Sequence, residues 1–142
     1  MTRGAVLLLL LVFFPGAAIA GDSTWIYATA NKFATAYYLD KVKCLEGDQV
    51  NVWLKVDLTR KGISHFKKHH ATSTANFKYF VDNKTYDCRK RRSATYQLTT
   101  YTREGEVLEE AVWKESDVKW SKVPDDSNDD FIMEELCMVC SK

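Results

Sequence analysis

Proline is almost missing from this chain: among 142 residues only Pro15 and Pro124 are proline, and glycine contributes six. That scarcity excludes collagen-like and Pro/Gly-rich low-complexity chains, and no internal repeat or biased segment takes their place. Histidine is also rare, and all three copies fall in "HFKKHH" (His65, His69 and His70). No nucleophile elbow, phosphate-cradling glycine loop or paired-carboxylate motif occurs, so no common catalytic signature points to an enzyme. Charge of neither sign dominates. Twenty basic residues face nineteen acidic ones, and the balance alone selects no partner.

Long apolar runs are likewise limited to one, "VLLLLLVFF" at residues 6–14, well short of the ~20 residues a membrane-spanning helix requires. Arg3 precedes it, Pro15 and Gly16 break it, and "AIA" at residues 18–20 supplies the small side chains a signal peptidase needs. Residues 1–20 are therefore expected to be a cleaved signal peptide, with no transmembrane anchor. Gly21 follows the expected cut where a lipidated protein would have cysteine, so no lipid anchor is expected either. The remaining residues, 21–142, suit one domain exported to the periplasm or the outer surface.

What is present is aromatic and unevenly charged. Aromatics make up 13% of the chain, enough for a well-packed core. The middle is basic ("RKGISHFKKHH" from Arg60, "RKRR" from Arg89) and the tail acidic ("DDSNDDFIMEE" from Asp125). Most of the chain alternates with period two. "STWIYATA" puts Trp25 and Tyr27 on one face, "ATAYYLD" reads as a second strand, and "KVKC" begins another. In "GDQVNVWLKVDL", Val50, Val52, Leu54, Val56 and Leu58 alternate with Asn51, Trp53, Lys55 and Asp57, a half-buried strand entered through a Gly47–Asp48 turn. Residues 60–73 lose the alternation and read as an exposed loop with at most a helical turn. "NFKYFVDNKTYDCRKRR" reads as a hairpin turning at Asp82–Lys84, and "ATYQLTTYTREGEVLEEAVW" as another turning near Gly105. In the tail, Ile132, Leu136 and Val139 share a helical face, and Ser127 with Asp130 makes a capping-box-like start. The fold class expected is α+β: an antiparallel sheet of five to six strands with a C-terminal helix packed on one face and stapled by disulfides.

Four cysteines in an exported chain point to disulfides. Cys137 and Cys140 form a C-x-x-C, but a reactive dithiol needs a lowered thiol pKa, normally at a helix N-terminus. This pair sits at the opposite, partially negative end of an acidic helix. Haem attachment needs histidine after the second cysteine, and Ser141 stands there. A zinc site needs a second close ligand pair, which Cys44 and Cys88 do not form. Residues i and i+3 share a helix face, so one terminal cysteine can reach Cys88 and the other Cys44. A periplasmic thiol–disulfide redox protein using Cys137 and Cys140 is the alternative function. The His65–His69 pair lacks a nearby carboxylate and is flanked by Lys67 and Lys68, so no metal and no cofactor is expected there. Export argues against nucleic acid for the "RKRR" run, and on a strand only half of its charge would face one way.

Several segments, taken in order, resemble the surface-adhesin protein E-like family of small exported bacterial proteins. They are Trp25 opening the first strand, "YYLD" ending at Asp40, "VNVWLKVD" from Val50, "YDCRKRR" around Cys88, "YQLTTYTREGEVL", and "KWSKVPDDS" with Trp120, Pro124 and Ser127. Cys137 on a terminal helix completes the pattern. The resemblance implies an antiparallel sheet with a helix and a mid-chain cysteine bridged to the terminal one, Cys88 to Cys137. Cys44 and Cys140 are additional here and would pair with each other; Cys88–Cys140 with Cys44–Cys137 is the alternative. It also implies a non-enzymatic, adhesin-like binding domain with a protein partner, to which the basic residues add an acidic glycan or other anionic surface. The sequence is compatible with a homo-oligomer. The recognition surface expected comprises Lys67, Lys68, His69, His70 and Arg91 together with exposed aromatics such as Trp53 and Tyr79.

Overall fold

The computed structural model describes residues 24–69 and 76–142, so the expected signal segment and His70 lie outside the described residues. The order is β1 (Trp25–Ala30), β2 (Ala34–Leu39), β3 (Lys43–Leu45), β4 (Gln49–Leu58), α1 (Arg60–His69), β5 (Phe77–Asp87), β6 (Arg92–Thr102), β7 (Val107–Val112), β8 (Ser121–Lys122) and α2 (Asn128–Cys140). All pairings are antiparallel, and the sheet runs β1-β2-β4-β5-β6-β7, with β3 added to β4 and β8 to β6.

Period-two patterning makes β4 the spine. Val50, Val52, Leu54 and Leu58 are buried, while the residues between them are half-exposed. Register brings Tyr38 of β2 beside Leu54, and Tyr86 of β5 beside Val50, on the same face. Helix α2 closes over this patch with Ile132, Met133 and Leu136. Ser127 caps it, its hydroxyl accepting the Asp130 amide at 3.1 Å, and Asp129 and Asp130 sit where the helix dipole favours negative charge. Two bridges fasten its C-terminal half: Cys140 to Cys44 on β3, and Cys137 to Cys88 beyond β5.

Several sequence expectations need correction. The sheet has eight strands among the described residues instead of five or six, because three-residue β3 and two-residue β8 are too short for a period to show. Residues 60–69 form a helix, not a loop. Thr59 starts α1 by accepting the Gly62 amide at 3.1 Å, and Ile63 and Phe66 bury against Leu58 and Phe77. Only two apolar residues mark that face, too few for a clear helical period. Asp82–Lys84 is no turn. β5 runs through it, because Asn83 is hydrogen-bonded to Asn51 at 2.9 Å and the Asp82 and Lys84 side chains are drawn inward. The chain turns instead at 88–91, where Asp87 accepts the Lys90 amide at 2.9 Å and the Arg92 Nε at 3.2 Å. The "RKRR" run therefore lies mostly in a turn, with only Arg92 in β6. Val139 is 53% exposed. At roughly 100° per residue, the buried stripe centres on Met133 and the two bridged cysteines, which leaves Val139 at its margin.

Candidate functional site

Both helices occupy the sheet face that carries Val50, Val52, Leu54 and Leu58. The alternate residues therefore face the other way, on a surface no helix covers. Trp53 and Lys55 of β4 project there. Register adds Val81 opposite Lys55, Tyr101 opposite Tyr79, and Trp25 opposite Leu39. These seven residues line one cavity of about 250 Å³, reaching from β1 to β6.

Its geometry is that of an aromatic groove with one cation. Tyr79 and Tyr101 stack with ring centroids 4.8 Å apart and planes 7° from parallel. The Lys55 ammonium lies 4.7 Å from the Tyr79 centroid, within cation–π range. Among the described residues Lys55 makes no ion pair, unlike Lys78, Lys84, Arg89 and Arg92. Burial first, then the neighbouring Tyr101 and Asp57, raise the Tyr79 pKa, so its hydroxyl stays protonated and able to donate. Leu39 is buried as part of the floor. Beside the groove, Tyr27 and Tyr37 meet edge to face at 6.1 Å.

The residues expected to bind are divided by the fold. Trp53 and Tyr79 come together in the groove. Lys67 and Lys68 lie on α1, against the opposite face of the sheet, and His69 ends that helix. Arg91 holds down α2 through Asp130 and, at 3.6 Å, Glu134. Sequence reasoning missed Trp25, Leu39, Lys55, Val81 and Tyr101. Lys55 was legible, two residues from Trp53 on one strand and therefore on its face. The others depend on cross-strand register, for which one sequence holds no signal.

Two other polar features lie outside the groove. Asp82, Lys84, Tyr86 and Asp129 form a buried polar cluster: Lys84 binds Asp129 at 2.8 Å, and the Tyr86 hydroxyl donates to Asp129 at 2.9 Å. Asp82 and Tyr86 lie in the core under α2, and Asp129, at its partly exposed margin, ties them through Lys84 and the Tyr86 hydroxyl to the helix. A cavity of about 440 Å³ beside the bridges includes Arg89 and Asp48, which pair with each other at 3.0 Å. The two cysteines of the terminal C-x-x-C do not pair with each other. All four cysteines are bridged across the fold, with no Cys137–Cys140 bond and no free thiol. No cluster of three metal-ligating side chains occurs among the described residues, and none of their helices is long and apolar enough to cross a membrane.

Comparison with known proteins places the chain in context. Residues 25–138 match the family model described as surface-adhesin protein E. Among solved structures the fold is similar to that of Haemophilus influenzae protein E in crystal form II. The TM-score is 0.54 at 13% identity, over 83% of this chain and 90% of that one. No curated protein sequence matches significantly.

Proposed function

The chain belongs to the surface-adhesin protein E family, and from that premise we propose that it is a non-enzymatic exported binding domain whose recognition surface is the helix-free face of the sheet. The observation that carries this reading is the groove itself, in which two tryptophans, a stacked tyrosine pair and an unpaired lysine share one cavity. Aromatics and cations gathered in a concave patch are the usual anchors of a binding surface. Export is supported by the N-terminal apolar run and by two long-range disulfides.

The partner class is a protein or an anionic surface, since the free charge in the groove is positive. Lys67 and Lys68 on α1 would form a second basic contact on the other side of the sheet, where a flat ligand could not engage both. Attachment of the disulfide-intact protein to matrix-coated surfaces tests the choice. Trp53→Ala with Tyr79→Ala is expected to weaken attachment at least about tenfold, as loss of central aromatic anchors does. Lys67→Glu with Lys68→Glu is expected to leave it within about twofold and to leave its salt dependence unchanged. The reverse ranking would move the site to α1.

A further inference from the structure

We propose that the groove binds a linear acidic glycan whose sugars carry carboxylate but no sulfate, the chemistry of a chain alternating uronic acid with N-acetylated sugar. The inference rests on the reading of this face as the binding surface and assigns its ligand.

Shape comes first. The lining residues come from five strands, β1, β2, β4, β5 and β6. Four intervals of ~4.8 Å carry the groove roughly 19 Å across the sheet. That is a track for several sugar rings laid end to end, longer than a pit for one. Across the sheet the lining runs from Trp25 on β1 and Leu39 on β2, through Trp53 and Lys55 on the middle strand β4, to Tyr79 and Val81 on β5 and Tyr101 on β6. Aromatic faces carry negative quadrupole density, which the weakly positive C–H faces of a pyranose ring match.

Charge selects among glycans. Lys55 is the one charged residue in the lining, so the groove meets one carboxylate per segment. A polysulfated chain would bring several anions to a single cation and leave most of them unpaired. A cationic ligand is disfavoured, because Lys55 already occupies the cation–π position over Tyr79.

Hydrogen-bond accounting separates a glycan from a peptide. The groove crosses β2, β4, β5 and β6, whose backbone groups are used in the ladders. A peptide laid across it would desolvate its own amides with no backbone to receive them. A sugar stacks its ring and keeps its hydroxyls at the wet margin, where the Tyr79 and Tyr101 hydroxyls, the indole N–H groups and the Lys55 ammonium are the available donors.

The experiment is calorimetric titration of the disulfide-intact protein with hyaluronan oligosaccharide. Comparison ligands are the same oligosaccharide with its carboxyls reduced to alcohols, a heparin oligosaccharide of equal length, and an acidic proline-rich peptide. Binding of the hyaluronan oligosaccharide is expected, weakened at least about tenfold by carboxyl reduction, the size of a lost charge-assisted contact. Lys55→Gln should match that loss and add nothing further with the reduced ligand, and Trp53→Ala should abolish the signal. An unchanged melting midpoint in both variants confirms that they fold. Tighter binding of heparin or of the peptide overturns the proposal, as does failure of the hyaluronan oligosaccharide to bind at millimolar concentration. Should the oligosaccharide fail while Trp53→Ala with Tyr79→Ala still removes matrix attachment, the ligand is wrong and the face is right. Should both fail, the face is wrong as well.

Discussion

Asp82 sits 3% exposed in the core with one carboxylate oxygen lacking a hydrogen-bond partner among the described residues. Burial raises its pKa to about 6; Lys84 at 3.6 Å opposes the shift, and the negative charge of Asp129 adds to it. Burial also lowers the pKa of Lys84, but Asp82 and Asp129 outweigh it and hold the ammonium above its ordinary range, so it stays charged. Tyr86, raised by burial and by both carboxylates, stays neutral. A carboxyl whose folded pKa exceeds its unfolded one binds protons more tightly when folded. Its contribution to stability is present below about pH 4 and is lost as pH rises through about 6. Asp82→Asn is therefore expected to stabilise the protein near neutral pH by roughly 1–3 kcal/mol. Urea midpoints of both proteins near pH 4 and near pH 7 check it. A variant that loses as much stability as the parent between those values would exclude Asp82 as the source. Nothing in the sequence flagged this residue. "DNK" has turn composition, and only the pairing of β5 with β4 shows that Asp82 points inward beside Leu54.

Among the elements, legibility follows the length of the pattern. β4 and α2 repeat their periods long enough to be read directly, and the Ser127 cap marks where α2 begins. Helix α1 does not. Gly62 looks like a breaker, yet a Cβ there would sit 1.9 Å from the Phe33 carbonyl oxygen, so glycine lets the helix press against the β1–β2 connection. The composition that signals a loop is here a requirement for close packing. Gly62→Ala improves intrinsic helix propensity but is expected to destabilise by about 1–3 kcal/mol through the clash. Thermal unfolding measures it, and a raised midpoint would mean that α1 can lift off the sheet at little cost. The hairpin at 88–91 was misplaced for a related reason. Arg91, at φ +48°, has the left-handed conformation usual for glycine, and the Asp87 carboxylate makes the turn in place of a turn-forming pair.

On the scale of the whole molecule, the two disulfides fasten the C-terminal helix to the middle of the sheet. They span 96 and 49 residues, and loop closure of that size is worth about 4–5 kcal/mol singly, less in combination because the loops overlap. A domain of this size has a net stability of about 5–15 kcal/mol. Reduction, or Cys88→Ser, is therefore expected to unfold the protein or lower its melting midpoint severely; a midpoint indifferent to reductant would refute this. The sequence by itself determined the alternating strands, the capped terminal helix and the count of four cysteines, because each is a local pattern or a count. Tertiary structure decided which cysteines meet, which way α1 faces, and that Trp25, Trp53, Lys55, Tyr79 and Tyr101 share one groove while Arg91 is held by α2. Those outcomes depend on strand register and on which face the helices cover. A single residue's slip in pairing would reverse them, and no local pattern encodes it.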